Sequence, residues 1–152
     1  MIDITIEKMS EKHIAELAEV EQQSFSRPWS YDGLKAELDN LSAVFFVAVA
    51  DGKAVGYIGF HTVLDEAYIA NIAVLPEYRR KGIASALLQC AIDFCKENGF
   101  AFITLEVRRS NINAVALYKK FAFEIVGERK NFYTAPTENA YIMTLYFGGP
   151  NQ

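Results

Sequence analysis

Two phosphate-binding signatures are missing from this chain of 152 residues. It has neither G-x-G-x-x-G nor G-x-x-x-x-G-K-[ST], so neither a dinucleotide fingerprint nor a nucleoside-triphosphate loop is present. Cysteine is scarce: Cys90 and Cys95 are the only two. They fall inside one helical pattern at a spacing that suits no metal, and they read as reduced core thiols of a cytoplasmic protein. His13 and His61 are the only histidines, isolated from each other, and read as structural or solvent-facing rather than as ligands. No metal is expected. Long apolar runs are absent too. The longest, Ala43–Ala50, is too short to span a bilayer, and its β-branched and aromatic content suits a buried strand. There is no linker, repeat or low-complexity tract, and, because Met1 leads straight into the strand-like alternation of Ile2, Ile4 and Ile6, no signal peptide is expected. Nor is there an excess of basic charge. The formal net charge is −4, which argues against a broad nucleic-acid or anionic-membrane surface.

What is present is a core. Hydrophobic residues make up 51% of the chain, enough for one domain over 1–148 with a short tail at 149–152. After the first strand, Ser10 is placed to cap a helix carrying Ile14, Leu17 and Ala18, and Ser30 a short helix carrying Leu34 and Leu38. Ala43–Ala50, the turn Asp51-Gly52 and Ala54–Val63 read as a hairpin, since Asp-Gly accepts positive φ. Tyr68–Val74 is a strand. Ile83–Glu97 is a helix with apolar residues at helical spacing, and Gly99 suits the position past its end. A strand at Ala101–Val107, a helix at Asn111–Phe121, a strand at Phe123–Glu128, a polar loop and a strand at Ala140–Phe147 complete an α/β layer fold. Its sheet is expected to be mixed, antiparallel early and partly parallel in the middle.

Three places offer chemistry. In Arg79-Arg80-Lys81-Gly82-Ile83-Ala84, cations and a glycine open a helix directly after an apolar strand. Free N–H groups at a helix start bind anions, and a residue without Cβ lets a phosphate approach the backbone. By itself this turn is equally a surface turn with solvated charges. Glu106 ends the strand Phe102–Val107, on the face shared by Phe102 and Thr104. Burial there would raise its pKa and suit a general base, whereas an ion pair with Arg108 or Arg109, or simple exposure, would not. Asn111 and Tyr118 lie almost two helical turns apart on one face, with Ala114 between them. They could reach one ligand, or Tyr118 could be a core residue.

The order of these features resembles the GNAT family of acetyl-CoA-dependent N-acetyltransferases. Arg79-x-x-Gly82-x-Ala84 is similar to that family's Q/R-x-x-G-x-G/A motif. Asn71–Val74 precedes it, and Leu105-Glu106-Val107-Arg108 and Ser110-Asn111 through Tyr118 follow. Within the family the chain looks most like the enzymes that acetylate the N-terminal alanine of a ribosomal protein, and Pro28-Trp29-Ser30 and Ile142-Met143 extend the likeness. Phe121-Ala122-Phe123 departs from the Leu-Gly-Phe common after this helix, and the loop Thr134–Asn139 is not a close match.

The resemblance implies a mostly antiparallel sheet of about seven strands with helices on both faces. It implies that the backbone of Ile72, Ala73 and Val74 holds the pantetheine arm and thioester. It implies that Arg79, Arg80, Lys81, Gly82, Ile83, Ala84 and Ser85 bind the pyrophosphate and that Asn111 contacts the coenzyme. Glu106 matches the general base and Tyr118 the acid that protonates the leaving thiolate. Elementary acidity favours a protein N-terminus as acceptor: an α-amine of pKa near 8 is about 10% neutral at pH 7, a lysine only about 0.04%. The expected function is therefore acetyl transfer from acetyl-CoA to a protein N-terminal α-amine, with an alanine-initiated ribosomal protein as the leading acceptor. The protein is expected to be a monomer or weak homodimer. Two other readings stay open: a small-molecule amine as acceptor, and a non-catalytic acyl-CoA-binding module.

Overall fold

Strands β1 (Ile4–Lys8), β2 (Ala43–Ala50), β3 (Lys53–Val63), β4 (Glu66–Val74), β5 (Phe102–Arg108), β6 (Glu124–Thr134) and β7 (Thr137–Tyr146) alternate with helices α1 (Ile14–Ser24), α2 (Tyr31–Glu37), α3 (Ile83–Glu97) and α4 (Ile112–Lys120). They are described from a computed structural model covering residues 3–148, so Ile2 and the 149–152 tail lie outside the described residues. The seven strands form one sheet in the order β1-β2-β3-β4-β5-β7-β6. Asp51 and Gly52 close the β2–β3 turn with φ of 53° and 79°, the positive values that a two-residue hairpin turn demands.

Cross-strand partners share a face, which assigns the two sides of the sheet. Phe45, Tyr57, Gly59, His61, Asn71 and Tyr68 lie on one side. There Trp29 of the α1–α2 connection packs on Phe45, whose ring stacks on Tyr57 at 5.9 Å between centroids. A Cβ at Gly59 would lie 2.3 Å from the Phe45 ring, so only glycine lets that ring lie flat on the sheet. On the other side, Phe94 of α3 meets Phe46 and Phe60 edge-on at 6.0 and 5.7 Å. Helices therefore cover both faces, as expected. Ser30 caps α2 through its Oγ, which accepts from Gly33 N–H at 3.0 Å.

Every neighbouring pair of strands is antiparallel except β4 and β5. Those two are parallel and pair only at Glu66–Phe102, Ala67–Ile103 and Tyr68–Thr104. Beyond Tyr68 they part. A bulge at this level, between Gly59 and Phe60 on the β3 side, lets Ile69 and Asn71 of β4 take successive partners and turns the strand away. The result is a wedge-shaped opening between residues 69–74 and residues 105–108.

One expected boundary is corrected. Residues 129–136 and 137–139, expected as a polar loop after a strand ending at Glu128, belong mostly to β6 and β7, which run to Thr134 and start at Thr137. β6 is an edge strand whose residues are almost all exposed, so no burial alternation marks it in the sequence.

Candidate functional site

The wedge between β4 and β5 collects most of the residues that the sequence singled out. Ile72, Ala73 and Val74 pair with β3 on one edge through Ile58, Tyr57 and Gly56. Their other edge faces the opening and has no ladder with β5. Backbone groups on such an edge are available to an extended ligand. Arg79 Nε donates to Val74 O at 2.9 Å and so ties the cationic turn back to the end of β4.

The turn itself is held in unusual backbone. Arg80 has φ 61° and Gly82 φ 81°. A Cβ at Gly82 would meet nothing within 4 Å, so the positive φ, not crowding, calls for glycine. Gly82 is the N-cap of α3 and no side chain caps that helix. The first internal bond runs from Ala86 N–H to Gly82 O at 3.0 Å, which leaves the amides of Ile83, Ala84 and Ser85 pointing outward without a helical acceptor. Beside Arg79, Arg80 and Lys81, this end of α3 gathers free N–H donors and positive charge.

Glu106 stands on the far side of the wedge. Thr104 pairs with Tyr68, so alternation puts Phe102, Thr104, Glu106 and Arg108 on the α1–α2 side of the sheet. The side chain of Glu106 is about one-third exposed, and its Oε2 accepts from Arg129 Nε at 3.0 Å. Its ion partner is thus on β6, and neither Arg108 nor Arg109 takes it: they pair with Glu138 and Glu128. The burial expected to desolvate this carboxylate is only partial.

Tyr118 is 5% exposed, and its ring packs on Phe123 at 5.7 Å. The two sequence alternatives for it, core residue and ligand contact, are not exclusive. The ring is core, while the hydroxyl has no hydrogen-bond partner among the described residues. Burial, and then the neighbouring Tyr133, push its pKa well above the ordinary phenol range, so the proton stays on. Asn111 is the N-cap of α4, with Oδ1 accepting from Ala114 N–H at 3.2 Å, so that oxygen serves the helix. Cys90 and Cys95 are free thiols that burial pushes up, Cys95 to about 12, and neither is primed as a nucleophile.

Sequence reasoning missed two groups. Tyr133 is half-buried at the end of β6, and its hydroxyl is raised by burial and by the charge of Glu106. It therefore stands within electrostatic reach of both Glu106 and Tyr118. Nothing in its sequence context, Asn131-Phe132-Tyr133-Thr134, marks it. Glu21 is a fully buried carboxylate on α1. Its Oε1 accepts from Trp29 N–H at 2.7 Å; Oε2 accepts from the Tyr57 hydroxyl and from Asn71 Nδ2. It fastens the α1–α2 connection to β3 and β4 beside the wedge. A glutamate among polar residues of an amphipathic helix carries no sign of this; only tertiary packing does. An open groove of about 700 Å³ between the last turns of α3 and α4 lies at the opposite end of the sheet, by Phe100 and Phe147, and shares no residue with the wedge. Among the described residues no group of three or more His, Cys, Asp or Glu is placed to hold a metal ion.

A splayed β4–β5 pair, a helix start without a side-chain cap after β4 and a carboxylate on β5 can be compared with known proteins. The [ribosomal protein bS18]-alanine N-acetyltransferase of Escherichia coli (strain K12) is 36% identical over 143 residues, which is 93% of this chain and 96% of that one. A Bacillus subtilis (strain 168) relative, which carries the same name provisionally, is 41% identical over 139 residues, 91% of this chain and 92% of its own. The crystal structure of the ribosomal-protein-S18-alanine N-acetyltransferase from Escherichia coli superposes with a TM-score of 0.88 at 34% identity, covering 99% of both chains. The family model named Acetyltransferase (GNAT) family matches residues 14–123. That span runs from the start of α1 to the residue before β6 and includes both walls of the wedge, so the chain belongs to the acetyltransferase (GNAT) family.

Proposed function

We propose that this enzyme transfers the acetyl group of acetyl-CoA to the N-terminal α-amine of a protein, and that its acceptor is the alanine N-terminus of ribosomal protein bS18. The observation that carries this is the likeness, over almost the whole of both chains, to the Escherichia coli enzyme of that name in sequence and in fold. On this reading the enzyme works in the cytoplasm, where ribosomal proteins are made.

The residues fit acetyl-CoA as a substrate. The outward amides of Ile83, Ala84 and Ser85, with Arg79, Arg80 and Lys81, suit a pyrophosphate. The unpaired edge of Ile72, Ala73 and Val74 suits an extended amide arm, and a backbone N–H there can polarise the thioester carbonyl. Asn111, at the start of α4, keeps its amide nitrogen for the coenzyme.

The chemistry needs no covalent enzyme intermediate. Glu106 takes a proton from the incoming ammonium, directly or through a water; Oε1 makes no bond among the described residues, while Arg129 holds Oε2. The neutral amine attacks the thioester carbonyl, the C–N bond forms and the C–S bond breaks. The departing thiolate takes a proton from the Tyr118 hydroxyl, which burial keeps protonated until that moment, and the second proton that the nitrogen sheds as the amide forms restores the hydroxyl.

The test is acetyl transfer from acetyl-CoA to a peptide beginning with the bS18 N-terminal residues. Controls are the same peptide with its α-amine blocked, and a panel of small amines. Acetylation of the free peptide alone supports the proposal. Faster turnover of a small amine than of the peptide overturns it.

A further inference from the structure

The end of the β6–β7 hairpin overhangs the wedge, yet the strand ladder does not hold it there. Pairing shifts register once, between Ile125 and Gly127, runs on to Arg129–Ala140, breaks, and resumes for only two pairs, Tyr133–Glu138 and Thr134–Thr137. Asn131 in the break has φ 53°. What fixes the tip comes from β5. Arg108 lies two residues past Glu106 on the same face of that strand. Its guanidinium carbon sits 4.3 Å from the centre of the Tyr133 ring. Its Nη1 donates to Pro136 O at 2.9 Å and to Glu138 Oε1 at 3.2 Å, and its Nη2 donates to Ala135 O at 3.2 Å. Glu138 also accepts from Ser110 N–H at 2.6 Å and from Ser110 Oγ at 2.9 Å, next to the N-cap of α4. These bonds, Ser110 first, hold the Glu138 carboxyl below the ordinary carboxylate range.

We propose that Arg108 is a positioning residue for the acceptor: with Glu138 it clasps the hairpin tip to β5 and to the start of α4, and so sets Tyr133 against Glu106. A guanidinium can stack on a ring and at the same time donate in its plane to several oxygens. An ammonium cannot do both, so Arg108→Lys does not restore the clasp. The Arg108 side chain touches neither the turn at Gly82 nor the open edge of Ile72–Val74 among its contacts, so the coenzyme contacts proposed there do not run through it.

The inference rests on the reading of the wedge as the acceptor site. The experiment is steady-state kinetics on Arg108→Met, Arg108→Lys, Tyr133→Ala and Arg108→Met with Tyr133→Ala, with calorimetric binding of acetyl-CoA to each in the absence of acceptor. Both Arg108 variants are expected to raise the KM for the peptide about tenfold, with kcat changed less than about threefold and acetyl-CoA affinity unchanged. Because Arg108 acts through Tyr133, adding Tyr133→Ala to Arg108→Met should change the peptide KM by less than about twofold. Glu138→Gln, a milder loosening of the same clasp, should raise the peptide KM in the same direction. A peptide KM within about twofold of the native value in Arg108→Met, multiplicative effects in the double variant, or equal weakening of acetyl-CoA overturns the role. A Glu106→Gln enzyme with full activity would instead remove the reading of the wedge, whatever Arg108 does.

Discussion

Single residues differ in how much of their role their sequence context shows. Glu106 is the clearest, because a lone carboxylate at the end of an apolar strand stands out in the chain itself. Its partner, Arg129, does not, since the pair spans β7 and depends on a register that no local pattern encodes. Replacing Glu106 with Gln keeps shape and removes the base, and kcat with an alanine-initiated peptide should fall by about 10²–10⁴-fold at pH 7 with acetyl-CoA affinity intact. Ala122 is an oddity that the sequence already announces by standing where glycine is common. It adopts φ 72° past the end of α4, a left-handed backbone that costs a residue with a Cβ roughly 1–2 kcal/mol. Ala122→Gly should therefore raise the urea midpoint, by about 1 kcal/mol of stability, with the slope of the transition unchanged.

At the scale of elements, α3 is the part whose limits were most legible. Gly82 and Gly99 bracket Ile83–Glu97, and both take positive φ, so the helix begins and ends where the glycines put it. The same glycine makes the anion site testable. Gly82→Ala leaves packing alone, since its Cβ meets no atom within 4 Å, but it strains a φ of 81° at the residue that opens α3 onto its free amides. The KM for acetyl-CoA should rise about tenfold while the peptide KM stays constant; equal change in both would show that the turn serves folding rather than the coenzyme. β6 is the opposite case. It lies at the edge of the sheet with almost every residue exposed, so the polar stretch Arg129–Asn131 looks like a loop when read alone. What makes it a strand is pairing with β7, and what aims its end is Arg108 on a strand that is distant in sequence.

The whole molecule is built on one sheet of two antiparallel halves joined by a short parallel seam. β1 to β4 form one, β5, β7 and β6 the other, and three residue pairs link them. A site at such a seam draws on residues from both halves, which is why Glu21 and Asn71 from one half and Glu106, Tyr118 and Tyr133 from the other flank one opening. The buried acids of this core also set its response to alkali. Tyr57, Tyr118 and Cys95 are all raised by burial, Cys95 from an ordinary 9.0 to about 12. A group raised on folding lends stability that is complete below its unfolded pKa and is lost as pH rises towards its folded value. Stability should thus hold steady up to about pH 9 and fall through the interval up to about 12, and Cys95→Ala should flatten the first part of that fall in urea titrations at stepped pH. An equal fall in the variant would place the loss on the tyrosines.

Some of this protein was settled by its sequence alone. Alternation and helical spacing located the elements, because burial on one face leaves a period in the chain. The cationic turn, Glu106 and Tyr118 could be picked out as candidates from their places on those elements, but spacing left each a plain structural reading as well, and only the family resemblance gave it a role. The tertiary structure decided what has no period. It determined that β4 and β5 separate beyond Tyr68, that Glu106 pairs with Arg129, that Glu21 is sealed in the core, and that Arg108 holds Tyr133 over the opening. Each of these depends on residues far apart in the chain meeting across a strand or a helix face, and local composition carries no record of which distant residue will be met.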